Sequence, residues 1–355
     1  MISCQPHKTS PCKAFLFCGG CDFLDFSEEK YRDFKKEILA KSGFENAIWL
    51  WINNASRRRV IFQIDQKNNL GFFSKKTNSL VKIDDCFVAK KEISDFIFKL
   101  KNFLKTQEEN FITQIATTLF DNGLDLIFFV KRAPNLSQIQ KLTNFSKEEN
   151  INISYNFKNS VTPILLLKKN QIFYPNFKID LGSEVFLQAT KEGLDGIIEI
   201  CRNEILQQKK DLKIIDLYSG FGSYSFGICD LVAKITAIEG DEKMVNLIGK
   251  NVIKNNLTNK INAKVCDLFL NPIDKKELSK FDFAIINPPR NGASPQITQI
   301  ANSNLKNLIY ISCNPQSFKR DMEILIAKNF RLKNLFAIDQ FYGSSHLEVV
   351  GIFEN

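Results

Sequence analysis

Lys213–Ser223 reads KIIDLYSGFGS. Lys213–Asp216 is a short apolar strand ending in an acid, and Gly220-Phe221-Gly222 then turns the chain into a helix. Strand, acid, glycine-rich turn and helix make the opening unit of a Rossmann-like sheet, whose ligands sit beyond the carboxyl ends of the strands. The glycines let backbone pass close to such a ligand. A dinucleotide would want a third glycine, G-x-G-x-x-G, to hold its pyrophosphate at the helix start. That glycine is missing. Asp216 ahead of Gly220-x-Gly222 better suits S-adenosylmethionine, which has a cationic amino-acid end and no phosphate.

The strands that follow repeat the pattern. Lys234–Glu239 (KITAIE) ends in Glu239, whose carboxylate can accept both hydroxyls of a ribose. Ala263–Asp267 (AKVCD) ends in Asp267, expected beside the adenine. Phe281–Ile286 runs into Asn287-Pro288-Pro289-Arg290. A single acid at a strand end is often a cap, but three in register with a Gly-x-Gly turn indicate a methyl-donor site. Upstream, Phe186–Thr190 (FLQAT) precedes a helix with Leu194, Ile197, Ile198, Cys201, Ile205 and Leu206 on its apolar positions.

Two further residues carry chemistry. In Leu308–Phe318 (LIYISCNPQSF) an apolar run reads as a buried strand of a parallel sheet, and Pro315 ends it. Cys313 thus falls at a strand's carboxyl end, although most lone cysteines are small buried hydrophobes. In Ile338–Phe353 (IDQFYGSSHLEVVGIF), Glu348 interrupts an apolar run. Burial would raise its pKa toward that of a useful base, whereas an edge-strand glutamate would simply face water.

The amino-terminal part opens on Cys12-x5-Cys18-Gly19-Gly20-Cys21. Three thiols in so short a span, with glycines that let the backbone turn around them, suit structural zinc or an iron–sulfur cluster. Cys86 is the natural fourth ligand. One compact triplet with a distant single cysteine favours a cluster over zinc, and Cys4 is a spare thiol. Phe26–Lys41 is expected as a helix capped by Ser27, and Ile93–Leu104 and Leu136–Glu149 as two more. Ile48–Ile52, Arg59–Ile64 and Leu70–Phe73 are expected as strands, Leu124–Val130 and Val161–Leu167 as buried ones.

The chain has 355 residues, 44% hydrophobic and 25% charged, which fits two globular domains. We place the boundary near 185: residues 1–185 hold the cluster and contact substrate, and 186–355 form the donor-binding domain. No segment approaches the roughly 20 uninterrupted apolar residues of a membrane span. Without a signal-peptide pattern, nine cysteines point to a reducing, cytoplasmic setting. A net charge of +9, with Arg57-Arg58-Arg59, Lys168-Lys169 and Lys209-Lys210, fits either a polyanionic partner or a lysine-rich solvated surface. No obligate protein partner is evident. Most of the 32 phenylalanines belong to cores, though an aromatic, basic face could stack bases.

CxxxxxCGGC, the later lone cysteine, FLQAT, DLYSGFGS, NPPRNG, ISCNPQSFKRD and SSHLEV occur in the order found in the RNA uracil-5-methyltransferase family, which the chain resembles along nearly its whole length. The resemblance implies an α/β fold: a carboxyl-terminal Rossmann-like methyltransferase domain after a smaller α+β iron–sulfur domain. It implies that Cys12, Cys18, Cys21 and Cys86 bind a [4Fe-4S] cluster. It makes Cys313 the nucleophile and Glu348 the base, with Gln188, Tyr218, Ser223, Glu239, Asp267 and Asn287 at the S-adenosylmethionine-binding positions. Asn287 stands where some members have aspartate, and Thr190 where asparagine is common. The chain is similar to short 23S ribosomal RNA members that lack a TRAM domain, more than to tRNA members. A cytosine-5 enzyme would carry Pro-Cys where Pro288-Pro289 stands, and an amino-group methyltransferase would want an aromatic at Arg290. A non-catalytic RNA-binding protein that keeps a donor site is the remaining alternative.

Overall fold

The computed structural model describes residues 10–75, 77–208 and 211–355; Cys4, Lys209 and Lys210 lie outside them. Helix α1 (Glu28–Lys41) starts where Ser27 Oγ accepts from the Lys30 N–H, with Glu28 and Glu29 in its first turn. Strand β1 (Ile48–Trp51) follows. Next come β2 (Arg59–Ile64), β3 (Leu70–Phe73), β4 (Leu80–Lys82), α2 (Lys91–Lys105), β5 (Ile112–Phe120), β6 (Gly123–Val130), α3 (Leu136–Glu149), β7 (Asn152–Phe157) and β8 (Ser160–Leu165). Strands β2 to β8 form a seven-stranded sheet in the order β4-β3-β2-β5-β6-β7-β8. Its core packs α2 through Ile93, Ile97, Leu100 and Leu104 against Phe62, Ile115 and Phe128. The hairpin β9 (Asn170–Tyr174) and β10 (Phe177–Leu181) leads out of it.

The second half alternates: α4 (Lys191–Leu206), β11 (Lys213–Leu217), α5 (Ser223–Ile228), β12 (Lys234–Glu239), α6 (Glu242–Lys254), β13 (Ile261–Val265), α7 (Lys275–Leu278), β14 (Phe283–Ile286), α8 (Ser294–Ala301), β15 (Asn307–Ser312), α9 (Pro315–Ile326), β16 (Arg331–Asp339) and β17 (Glu348–Glu354). These strands build an eight-stranded sheet, β1-β16-β17-β15-β14-β11-β12-β13. Strand β17 runs antiparallel to both neighbours and the rest are parallel, so the carboxyl ends of all the others share one edge. Central strands such as Phe283–Ile286 are buried on both faces, as their unbroken apolar runs demand. This is the expected Rossmann-like α/β architecture.

Three expectations shift. Strand β1 precedes residue 185 yet forms the edge of the second sheet, and Leu39 and Phe44 pack into that sheet's core. Val161–Leu167 is not a buried strand: β8 lies at a sheet edge, pairs only with β7 and is half-exposed. The third strand of the donor half ends at Val265, leaving Asp267 in the loop beyond it. Among the described residues no helix is long and apolar enough to cross a membrane.

Candidate active site

After β11, Tyr218, Gly220 and Gly222 all take left-handed backbone, with φ of 57°, 55° and 82°. A Cβ on Gly222 would stand 3.2 Å from Phe226 and 3.3 Å from Ile248, so glycine is needed there for space as well as for φ. Asp216 is fully buried. Its Oδ2 accepts from Ser225 Oγ at 2.6 Å and from the Ser225 N–H at 3.2 Å. Burial pushes its pKa up to about 7 in spite of those bonds. Asp216 braces α5 beneath the loop.

The expected donor residues gather in two groups. Glu239, at the end of β12, accepts from the N–H groups of Gly220, Gly240 and Asp241. The exposed Asp267 accepts from those of Phe269 and Leu270. Burial pushes the Tyr218 hydroxyl up first, and the carboxylates of Asp267, Asp321 and Glu239 add to it, so these groups face one another. Ser223 opens α5, and its carbonyl accepts from the Tyr174 hydroxyl. The second group is hydrogen-bonded together. Gln188 Nε2 donates to Tyr224 Oη at 3.1 Å, and Asn287 Nδ2 approaches the same oxygen at 3.4 Å. Tyr224 is buried, and only the fold shows it joining two loops.

Cys313 and Glu348 meet across a strand pair. Ser312 is paired with Val349 in the antiparallel ladder of β15 and β17, and the two residues lie one step beyond that pair. Glu348 is 2% exposed, and burial pushes its pKa up to about 7. A hydrogen bond donated by Gln340 Nε2 at 2.9 Å, and then the charge of Arg290, pull the other way. Cys313 is half-buried. Burial and then the Glu348 charge push its thiol up, while the nearby Arg290 guanidinium opposes both. Arg290 is exposed, but its carbonyl accepts from Asn314 Nδ2 at 3.0 Å, which ties the loop after β14 to the one after β15. Below them the buried Asp321 accepts from the Ala293 N–H, Ser294 Oγ and Tyr310 Oη, so α9 holds the Asn287–Ala293 loop in place. The sequence gives Arg290 no role beside the thiol and does not single out Gln340, since neither interrupts a periodicity.

The basic triplet divides. Arg58 is 2% exposed and donates from Nε to the Gln188 carbonyl at 3.1 Å. The side chain of Arg59 lies 5.3 Å over the exposed Phe186 ring.

Cys12, Cys18, Cys21 and Cys86 line one cavity of about 340 Å³ with Phe15, Leu24, Phe87 and Val88. Gly19 lets the loop close on β3: its N–H donates to the Phe73 carbonyl at 2.8 Å, and a Cβ would stand 2.8 Å from that oxygen. The Cys86 N–H donates to Ser94 Oγ, fixing the fourth thiol against α2. Burial pushes Cys21 up to about 12, and the neighbouring Cys86 and Cys18 raise it further. Among the described residues no three His, Cys, Asp or Glu side chains converge closely enough for a single metal ion. The four thiols around the cavity are soft donors of the type an iron–sulfur cluster requires.

A family model described as tRNA (Uracil-5-)-methyltransferase matches residues 28–355. An uncharacterized RNA methyltransferase of Mesorhizobium japonicum is 27% identical over 97% of this chain and 84% of its own length. The 23S rRNA (uracil(1939)-C(5))-methyltransferase RlmD of a Shewanella strain is 26% identical over 98% of this chain and 82% of its own length. Among solved structures, the tRNA (uracil-54, C5)-methyltransferase of Pyrococcus abyssi, bound to S-adenosyl-L-homocysteine, superposes with a TM-score of 0.77. It shares 20% identity over 99% of this chain and 88% of that one, a likeness of fold.

Proposed function

Because the chain belongs to the tRNA (uracil-5-)-methyltransferase family, and so is an S-adenosylmethionine-dependent enzyme that methylates carbon 5 of uracil in RNA, we propose that its substrate is 23S ribosomal RNA and that Cys313 and Glu348 carry the reaction. One observation supports the mechanism: Cys313 and the buried Glu348 lie one step past the Ser312–Val349 pair, near enough for the carboxylate's charge to push the thiol up.

Carbon 5 of uracil is too weak a nucleophile to take a methyl group unaided. The Cys313 thiolate adds to carbon 6, which makes carbon 5 enolate-like and nucleophilic. The donor, when bound, presents an electrophilic methyl to that carbon. Glu348 then takes the proton from carbon 5, the carbon 5–carbon 6 double bond re-forms, and the Cys313 thiolate leaves. Arg290 favours the thiolate at the start and receives it at the end. The target base must leave its stack to reach both groups.

Gln188, Tyr218, Ser223, Glu239, Asp267 and Asn287 would hold the donor, with Glu239 and Asp267 exchanging bonds to backbone for bonds to ribose and adenine. Cys12, Cys18, Cys21 and Cys86 would hold a [4Fe-4S] cluster. The cysteine pattern and the relative named for 23S rRNA favour ribosomal RNA. The family description, which names tRNA, keeps a tRNA uridine as the second reading.

Labelled methyl transfer to 23S rRNA and tRNA transcripts, by wild type and Cys313→Ala, tests this. Labelled 5-methyluridine in rRNA, lost in the variant, is expected. Label confined to tRNA would overturn the substrate, and label with the variant would overturn the nucleophile.

A further inference from the structure

We propose that Gln340 is a positioning residue that couples the methyl-donor site to the base, by holding the Gln188 carboxamide and the Glu348 carboxylate with the two N–H bonds of one side-chain amide. The inference rests on the reading of Glu348 as base and Gln188 as a donor contact.

Gln340 is the first residue after β16, and it is 1% exposed. Its Nε2 donates to Glu348 Oε2 at 2.9 Å and to Gln188 Oε1 at 3.1 Å. Both partners are acceptors, so the amide must present its NH2 to them. Gln188 passes the connection to Tyr224, and Tyr224 to Asn287. A continuous polar chain therefore runs from the base to two donor-site loops. The protein makes room for it: a Cβ on Gly193, in the first turn of α4, would stand 2.7 Å from Gln340 Oε1 and 3.1 Å from its Cβ.

An N–H donor binds a carboxylate more strongly than a neutral carboxyl group. When Glu348 is ionised, Gln340 is drawn to it and its second N–H fixes Gln188. When Glu348 takes up a proton, that hold weakens. Coupling of this kind is reciprocal: donor affinity depends on the charge of Glu348, and the charge of Glu348 depends on the donor. The other groups facing Glu348 are Arg290, Cys313 and Tyr224. None of them bonds to both partners as Gln340 does.

The test is calorimetric titration with S-adenosylhomocysteine from about pH 6 to about pH 8.5, a span that brackets the Glu348 titration. Wild type, Gln340→Met and Glu348→Gln are compared. Wild-type affinity should rise about fivefold across that range, at the low end of ordinary coupling. Gln340→Met and Glu348→Gln should lose that rise. Asp216 titrates in the same range and is untouched by Gln340→Met, so the readout is the difference between curves. If Gln340→Met does not fold, Gln340→Leu removes the same two N–H bonds and should flatten the curve as well. Superimposable curves for wild type and a folded Gln340→Met or Gln340→Leu would overturn the coupling. Methyl transfer that survives in Glu348→Gln would instead overturn the base assignment.

Discussion

Lys35 Nζ lies 2.8 Å from Asp339 Oδ1, with both side chains essentially sealed from solvent. The same ammonium donates to the His346 carbonyl at 2.7 Å. Helix α1 thus reaches under the second sheet and pins both ends of the loop between Gln340 and Glu348. Removing one partner of a buried pair leaves the other charge desolvated, at a cost of about 3–5 kcal/mol. Lys35→Met should lower the melting temperature by many degrees, and Lys35→Met/Asp339→Leu should recover part of it. Equal melting of wild type and Lys35→Met would show that the pair does not anchor the loop.

Glu348→Gln should trap the enzyme on its substrate. Cys313 can still add to carbon 6 and carbon 5 can still take the methyl, but no group removes the proton and the thioether persists. A band of protein joined to RNA, stable on a denaturing gel and absent in Cys313→Ala/Glu348→Gln, is the expected result.

Stability and rate should move in opposite directions with pH. Glu348 is raised from 4.5 to about 7, so the folded state holds its proton more tightly than the unfolded chain. The stability linked to this group is complete below about pH 4.5 and is lost as pH rises through about 7, a change on the order of 3 kcal/mol. Asp216, raised from 3.8 to about 7, adds a loss of the same sign. Methyl transfer needs the carboxylate and should fall as pH drops below about 7. Melting curves of wild type and Glu348→Gln against pH check this: the variant should lose less stability between about pH 5 and about pH 8.

Arg290→Met should slow alkylation of Cys313 by iodoacetamide near neutral pH and move its midpoint upward. The guanidinium is the group that opposes both burial and the Glu348 charge at the sulfur. Arg290→Lys should restore the effect only in part, since a point charge lacks the planar fork. Unchanged alkylation in Arg290→Met would remove Arg290 from thiolate activation.

Gly343 joins the base loop to the cysteine loop. Its φ is +80°, its carbonyl accepts from the N–H groups of Asp22 and Phe23, and a Cβ would stand 2.8 Å from Leu24 Cδ2 and 3.5 Å from Cys21 Sγ. Gly343→Ala should cost about 1–3 kcal/mol through backbone strain and contact. It should also lower the iron retained on anaerobic purification. Full iron content with unchanged melting would refute that link.

Local signals carried far into this fold. Unbroken apolar runs at Phe283–Ile286 and Leu308–Ile311 mark strands buried on both faces, and they lie where expected. Ser27 and the acids after it place the start of α1. Val161–Leu167 misled because an apolar run looks the same in a central strand and at an edge. Strand β1 misled because its partner, β16, lies far along the chain. Asp216, the acid of the donor-site signature, is buried and accepts from Ser225 at the start of α5, which only the fold reveals.

By itself the sequence determined the alternation of strands and helices from α4 onward, the glycine turn after β11, the cysteine triplet and the places of Cys313 and Glu348 at strand ends. These depend on backbone geometry and burial period, which neighbouring residues dictate. Only the tertiary structure decided that Glu348 is sealed from water, that the Arg290 charge bears on the Cys313 thiol, and that Gln340 joins Glu348 to Gln188. A side chain's charge state follows from the solvent it loses and the partners it meets, and both come from segments distant in the chain.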